Sequence, residues 1–301
     1  MIACGGSALE LGSDTGGSVR EPAHLCGVAG IKPTSGRTPR TGHIVPWGGV
    51  LDGLTQIGPI ARYVEDLALA LPIICGPDGQ DPFAVPVKVR DPAKVDLAKL
   101  RIAWHADNGV VRAAEDIERV VGETAEALGK DGLNLREDRL PNTRELVDLT
   151  ARFREATNAG YILRLLERYA TTERSPELDG YLTDAAIAGG DRVEPALLEE
   201  IDAARSAALG FFADHDAILC PVSFALARPH RASHADSFEQ WGYMQIYNLL
   251  GWPGVSVRAG NSAEGLPVGV QIVAPPWRED IALALAQRIE KLRGGFSEPP
   301  I

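Results

Sequence analysis

The order of apolar patterns along the chain constrains its fold more than any other feature. Compact apolar segments at 100–105 and 216–221 alternate with segments of helical apolar spacing at 112–130, 143–170 and 194–213. A short apolar run bounded by turn residues is typical of a buried strand, and apolar residues three and four apart are typical of a helix. Because strands that alternate with long helices form parallel or mixed sheets with helices on both faces, the sequence predicts an α/β protein.

The same patterns predict the remaining elements. Short strands are expected at 8–11, 28–31 and 43–45, where apolar pieces lie between turn residues. The segment 64–75 has helical spacing, although we expect Pro72 to disturb its last turn. The other predicted strands cover 133–135, 255–257 and 268–273, and the other predicted helices cover 237–250 and 280–292.

Composition and charge exclude several classes of protein. Hydrophobic residues make up 45% of the 301 residues and charged residues 24%, which excludes a disordered or fibrous chain. Asp and Glu number 41 against 30 Lys and Arg, so the net charge is −11. Because a nucleic-acid surface needs clustered positive charge, we expect no nucleic acid as a partner.

Neither a membrane span nor a secretory leader is expected. The longest nearly unbroken apolar stretch, 67–75, is about half of what a bilayer span requires. No basic residue precedes Arg20, so a charged leader start is absent. The four cysteines form no CxxC pair and have no histidine at ligand spacing, which argues against a disulfide framework or a zinc site. The sequence therefore predicts a cytoplasmic protein without a metal.

The densest chemical signal is the loop at 12–20, with the sequence GSDTGGSVR. Its glycines permit positive φ, and successive N–H groups before a helix can form an anion-binding concavity. Such a loop either cradles phosphate or forms an oxyanion hole beside a nucleophilic serine. It contains no GxGxxG, no P-loop lysine and no GxSxG elbow, since Ser18 is followed by Val19 and Arg20. The residues alone leave a plain tight turn and a catalytic loop equally open.

Residues 10–46, ELGSDTGGSVREPAHLCGVAGIKPTSGRTPRTGHIVP, closely resemble the amidase signature family of serine amidohydrolases, and within it the broad bacterial amidase group. The resemblance is weakest at 140–210 and extends to GPIARYVEDLALAL at 58–71, GPDGQDP at 76–82, DAILCP at 216–221, NLLGWP at 248–253 and GLPVGVQ at 265–271. It implies an amidase-signature fold, with a mixed twisted β-sheet core sandwiched between helices. Residues 1–301 then form one domain, with a helical cap or insert around 143–213.

The resemblance also implies roles for individual residues. Ser18 corresponds to the catalytic nucleophile, which attacks an amide carbonyl and forms an acyl-enzyme. Asp14 and Arg20 correspond to a pair that supports the loop. The oxyanion hole corresponds to four consecutive N–H groups, those of Thr15, Gly16, Gly17 and Ser18. The implied substrate is a small-molecule amide, which is cleaved to a carboxylate and ammonia or an amine. The implied reaction uses no metal or organic cofactor. A homodimer is compatible with the resemblance.

The sequence departs from the Ser–Ser–Lys pattern of the family. There, a neutral lysine takes the proton of the nucleophile through a bridging serine that lies well upstream, but only 17 residues precede Ser18. Ser7 is too close to be that serine, and Lys32 matches a family position with a structural role. We therefore expect the N-terminal part of the fold to be missing. A positioned base contributes about 10²–10⁴ in rate, so the fragment should be nearly inactive on unactivated amides, and its uncovered apolar surface should make it poorly soluble.

Three other functions stay open. The first is a glutamine-dependent amidotransferase A-type subunit, which releases ammonia for transfer to an acylated tRNA and needs partner subunits. The second is a catalytically dead remnant that acts as a binding protein. A phosphate-binding module is the third.

Histidines and aromatic residues outside the loop receive mainly structural interpretations. His24 lies six residues after Ser18 and is expected to turn away from the chemistry. The other histidines carry no motif and are expected to be structural or on the surface. Four aromatic residues either line an acyl pocket or pack in the core, namely Trp47, Trp241, Tyr247 and Trp252.

Overall fold

A mixed β-sheet forms the centre of the computed structural model, which describes residues 1–43, 53–176, 178–179, 182, 193–229 and 238–300, and only the backbone of 158–161. The strands are β1 (Leu9–Asp14), β2 (Ala29–Lys32), β3 (Gln56–Ala61), β4 (Arg101–Trp104), β5 (Asn134–Glu137), β6 (Ala217–Pro221), β7 (Gly254–Asn261) and β8 (Pro267–Val273). Their order across the sheet is β1-β3-β2-β7-β8-β6-β4-β5. Strand β4 runs parallel to β5 and β6, and the other neighbours are antiparallel. The predicted α/β class with a mixed sheet is confirmed.

Helices cover both faces of this sheet. They are α1 (Arg20–Cys26), α2 (Val64–Ile74), α3 (Glu115–Lys130), α4 (Thr143–Arg168), α5 (Pro195–Leu209), α6 (Gly242–Leu249) and α7 (Glu279–Arg293). Short 3-10 helices lie at Pro92–Lys94, Leu97–Lys99, Gly210–Ala213 and Phe238–Trp241. No helix within the described ranges is long and apolar enough to cross a membrane.

The sheet has a separate hydrophobic core on each face. Along β4, Ile102 packs with α2, α3 and α7, whereas its neighbour Ala103 packs with α4, α5 and α6. Strand β6 alternates in the same way, with Leu219 on the first side and Ile218 on the second. Because successive side chains of a strand point to opposite faces, continuous apolar strands of this kind require helices on both sides.

The helical part at 143–213 shares the second of these cores. Leu146 and Phe153 of α4 and Ile201 of α5 are buried in one cluster with Ala103 and Ile218 of the sheet. These two helices therefore pack directly on the sheet, and through α6 they reach the loop that follows β1.

Two local predictions differ from the structure, and a third lies mostly outside the described residues. The strand expected at 8–11 starts at Leu9 and lies at the sheet edge with much of its surface exposed, so it is not a buried strand. The predicted helix at 237–250 becomes a 3-10 turn followed by α6, which starts only at Gly242. The strand expected at 43–45 falls mostly outside the described residues.

Strand β3 was not predicted. Its sequence, QIGPIA, contains a glycine and a proline, which are both depleted in strands. Gly58 is needed because a Cβ there would collide with the Ile31 carbonyl oxygen of β2. Pro59 faces Leu11 of β1 and lies beyond the last residue pair between β2 and β3, at Ile60, and a proline is tolerated where a ladder ends.

Candidate active site

The predicted nucleophile lies on a tight connection between an edge strand and a helix. Strand β1 ends at Asp14 and helix α1 begins at Arg20, so five residues make the turn. Ser18 is exposed on this turn, whereas Val19 beside it is buried. Gly17 has φ of 129°, and a Cβ at this position would collide with Met244 of α6. The loop therefore needs glycine there for both its backbone conformation and its packing.

A single buried carboxylate organises the loop. Asp14 Oδ1 accepts the N–H of Gly17 at 2.7 Å, and Oδ2 accepts the N–H groups of Val19 at 3.3 Å and Arg20 at 3.4 Å. The Arg20 guanidinium pairs with both carboxylate oxygens, at 2.9 Å through Nε and 3.0 Å through Nη2. Both side chains are fully buried. Burial alone would raise the pKa of Asp14, but the charge of Arg20 and hydrogen bonds from Arg20 and Asn248 outweigh it and hold this pKa well below its usual range.

Two residues from the last fifth of the chain complete this network. Arg20 Nη2 donates to Asn248 Oδ1 at 2.6 Å, and Nη1 donates to Gln271 Oε1 at 2.7 Å. The Asn248 amide in turn donates to Asp14 Oδ1 and to the Asp14 carbonyl oxygen, each at 2.9 Å. Sequence reasoning assigned no role to Asn248 or Gln271, although both lie in the resembling segments NLLGWP and GLPVGVQ.

The four N–H groups predicted as an oxyanion hole are not equivalent. The N–H of Gly17 is donated to Asp14 Oδ1 at 2.7 Å, so of the four predicted groups it is the one that already has an acceptor. Asp14 draws it inward because a buried carboxylate requires several donors. The N–H groups of Gly16 and Ser18 donate to no described residue, and with Thr15 they are the remaining candidates.

No described side chain forms a hydrogen bond with Ser18 Oγ. His24 of α1 is buried, and its Nδ1 accepts the N–H of Gly269 at 2.8 Å while its Nε2 lies 3.2 Å from the Ala225 carbonyl oxygen. Both ring nitrogens are thus occupied, as expected for a histidine turned away from the chemistry. Lys32 is fully buried and donates to the Pro33 carbonyl oxygen at 2.9 Å. Burial and the nearby Arg20 charge lower the pKa of Lys32 to about 7.

A cavity of about 530 Å³ lies beside the start of α1. Its wall includes Glu21, whose N–H donates to the Gly17 carbonyl oxygen at 2.7 Å, so the cavity is within one helical turn of the loop. Trp241 and Phe224 provide apolar surface there. Trp241 therefore lines a cavity near the loop, whereas Tyr247 and Trp252 are buried in the core beside α4 and α5. Trp47 lies outside the described residues.

A family comparison gives the wider context of this loop. The Amidase family model matches residues 1–283, which include the loop and both late segments that brace it. The chain belongs to the amidase family. The expected amidase-signature fold is confirmed, because its structural neighbours are amidase signature enzymes.

Individual members of the amidase family show how far the likeness extends. The A subunit of glutamyl-tRNA(Gln) amidotransferase from Cyanothece sp. (strain PCC 7425 / ATCC 29141) is 30% identical to this chain. The alignment is 326 positions long, gaps included, and covers 96% of this chain and 65% of that protein. The structure of the corresponding A subunit from Thermotoga maritima matches with a TM-score of 0.76 and 25% identity, covering 99% of this chain and 66% of the other. This amidase-family chain spans roughly two thirds of the length of these relatives.

A second solved structure extends the fold comparison to a hydrolase. The structure of 6-aminohexanoate cyclic dimer hydrolase in complex with its substrate matches with a TM-score of 0.81 at 23% identity, over 95% of this chain and 65% of that one. At this identity the likeness concerns the fold alone.

Proposed function

We propose that this amidase-family chain carries the site that cleaves a carboxamide to a carboxylate and ammonia or an amine, with Ser18 as the nucleophile. One observation carries the proposal. The buried Asp14–Arg20 pair holds Ser18 exposed, and the N–H groups of Gly16 and Ser18 beside it donate to no described residue. Preorganised N–H donors of this kind stabilise the negative charge that develops on a carbonyl oxygen during acyl transfer.

The proposed reaction has two steps. Ser18 Oγ attacks the amide carbonyl carbon and loses its proton to a base, while the N–H groups of Gly16 and Ser18 stabilise the resulting oxyanion. The C–N bond then breaks, the nitrogen takes up a proton, and water hydrolyses the ester formed with Ser18. We assign the base and the bridging serine to no residue of 1–301. The expected rate on unactivated amides is therefore lower by about 10²–10⁴ than that of a site with a positioned base.

A second candidate is the A-type subunit of a glutamine-dependent amidotransferase, and the relatives favour it over a free-standing amidase. Relatives with that name are 30% and 31% identical to this chain over 96% and 94% of its length. Glutamine would then be the amide substrate, and the released ammonia would pass to an acylated tRNA. With a net charge of −11, we assign the contact with the tRNA to other proteins of the assembly and not to this chain.

Covalent labelling with a fluorophosphonate, followed by peptide mass spectrometry, tests the nucleophile. The adduct is expected on Ser18 and should disappear in Ser18→Ala, while Ser13→Ala, which removes the neighbouring serine of β1, should label like the wild type. Because no base is assigned in this chain, we expect slow labelling that accelerates in a chain extended upstream in its reading frame. A folded protein that is labelled nowhere, or equally in Ser18→Ala, would refute the nucleophile and favour the remnant that acts as a binding protein.

Ammonia release distinguishes the two candidates. A free-standing amidase should release ammonia from simple carboxamides without other proteins. The amidotransferase candidate should prefer glutamine and should purify with partner proteins from its native cell.

A further inference from the structure

Lys32, at the end of β2, is a buried amine to which the proposed reaction gives no role. Its side chain is fully buried, and the Pro33 carbonyl oxygen at 2.9 Å is its one hydrogen-bond acceptor among the described residues. A protonated lysine carries three N–H donors and no acceptor, so the charged form leaves two donors without a described partner. Because buried polar groups are nearly always satisfied, these surroundings favour the neutral amine, which carries one donor fewer.

The buried carboxylates that interact with the charge of Lys32 already have partners. They are Asp14 and Glu279. Asp14 pairs with Arg20 at 2.9 Å, and the side chains of both are fully buried. Glu279 pairs in the same way with Arg37 at 2.6 Å. These five side chains therefore balance in charge only when Lys32 is neutral. Burial first, and the Arg20 charge second, lower the pKa of Lys32 to about 7.

Strand pairing places Lys32 beside the network that supports the nucleophile loop. In the antiparallel pairing of β2 with β7, Lys32 lies opposite Gly254. Side chains of directly opposite residues share one face of the sheet, with Cβ atoms about 4.5–5.5 Å apart. A Cβ on Gly254 would lie 3.4 Å from Arg20 Cδ and 3.3 Å from Gln271 Oε1. Lys32 therefore leaves its strand on the face where Arg20 and Gln271 meet.

We propose that Lys32 is a positioning residue for the nucleophile loop, and that it acts through Asp14. The neutral amine leaves the Asp14 carboxylate to Arg20 and to the backbone N–H groups of the loop. A proton on Nζ adds a second buried cation beside Arg20, which draws the carboxylate away from those N–H groups, and Ser18 then loses its support. The inference rests on the proposed function only in using Ser18 as the readout.

The protonation state of Lys32 can be measured through stability, by urea unfolding of the 301-residue chain. An unfolded lysine keeps its proton up to about pH 10.4, whereas folded Lys32 is neutral above pH 7. Folding then releases a proton, so stability rises with pH in wild type by an amount that Lys32→Met lacks. The ratio of the two unfolding constants, wild type over variant, should fall roughly fiftyfold between pH 7.5 and pH 9.5.

A control and a variant-free measurement accompany this experiment. Lys99→Met is the matched control, because the Lys99 side chain is 83% exposed, and its ratio should stay within about twofold. A ratio for Lys32→Met that does not change with pH would overturn the proposal. Lysine-selective carbon-13 NMR of wild type should show one Cε signal that titrates near pH 7. Absence of that signal would overturn the proposal even if no Lys32 variant folds.

The effect on Ser18 is measured as the rate of fluorophosphonate labelling at pH 6 and pH 8. A group with a pKa near 7 is about nine-tenths protonated one unit below it. We therefore expect Lys32→Met to label roughly tenfold faster than wild type at pH 6 and at a similar rate at pH 8. A purely structural role of Lys32 would change the rate by the same factor at both pH values, and that result would contradict the assignment.

Failure of this inference and failure of the proposed function give different results. If Ser18 is labelled in neither protein at either pH, the proposed function is removed, and the positioning role is removed with it. If Ser18 is labelled with the same pH profile in wild type and Lys32→Met, the nucleophile stands and only the role of Lys32 is removed.

Discussion

At the scale of single residues, the candidate site depends on one buried ion pair. Asp14 satisfies three backbone N–H groups and the Arg20 guanidinium at once. Removing one member of such a pair leaves the other charge buried without compensation, which costs far more than the loss of a surface pair. The loop geometry and the stability of the fold are therefore linked through the same carboxylate.

Asp14→Asn is expected to lower the free energy of unfolding by about 3–5 kcal/mol, because the buried Arg20 charge loses its partner. It should also abolish labelling of Ser18. The control Asp96→Asn removes the exposed partner of Lys99 and should cost less than about 1 kcal/mol. Urea unfolding measures both variants, and similar losses in the two would contradict the role given to Asp14.

The sequence predicted the contacts of the site where the two residues lie close together in the chain, and did not predict them where the residues lie far apart. The Asp14–Arg20 pair lies within seven consecutive residues, so resemblance to the loop was enough to suggest it. The partners Asn248 and Gln271 lie 228 and 251 positions from Arg20, and no spacing rule connects such distant residues.

At the scale of elements, helix α1 is attached to the sheet by a buried histidine. His24 Nδ1 accepts the N–H of Gly269 on β8, and its Nε2 lies against the Ala225 carbonyl oxygen. This arrangement requires a neutral imidazole, because both nitrogens of a protonated ring are donors. Burial lowers the pKa of His24, although the hydrogen bond with the Ala225 carbonyl oxygen acts in the opposite direction.

Stability is therefore expected to fall on acidification. In the unfolded chain His24 takes up a proton near pH 6.5, whereas in the folded chain it stays neutral to a lower pH. The free energy of unfolding should thus decrease as pH falls below about 6.5, down to the folded pKa. His24→Gln should make this decrease shallower between pH 6.5 and 5 in urea titrations. His105, whose pKa burial lowers to about 4, should keep part of the slope in that variant, and an unchanged slope would refute the role of His24.

Elements with strong periodicity were predicted well from the sequence. The long helices α3, α4 and α7 and the buried strands β4, β6 and β8 start and end within three residues of their expected bounds, and α5 ends four residues before the expected 213. Strand β3 was missed because glycine and proline are both unfavourable in strands. Their reasons are tertiary: Gly58 allows close packing against β2, and Pro59 lies where the pairing with β2 ends. Helix α6 starts late for a similar reason, since the 3-10 turn at Phe238–Trp241 has no distinct sequence signal.

At the scale of the whole molecule, the sheet ends in an apolar edge. Strand β1 has no neighbour on its outer side among the described residues, and Leu9 and Leu11 on it are 41% and 56% exposed. An exposed edge strand with apolar side chains is a template for pairing with another chain. The expectation of poor solubility has its most specific physical basis here.

Leu11→Lys is expected to reduce self-association, because a charge on an edge strand opposes edge-to-edge pairing. Leu209→Lys adds the same charge at another exposed leucine, at the end of α5, and should leave self-association unchanged. Light scattering over a concentration series measures both. If the two variants reduce it equally, net charge and not the β1 edge explains the effect.

The network around Asp14 joins residues that the ribosome makes at very different times. Gln271 is made 251 residues after its partner Arg20. At the usual elongation rates of about 5–20 residues per second, this interval is on the order of ten to fifty seconds. Throughout it, the nascent chain carries the Ser18 loop without the late residues that brace it. The loop therefore acquires its final geometry only after Gln271 has been made.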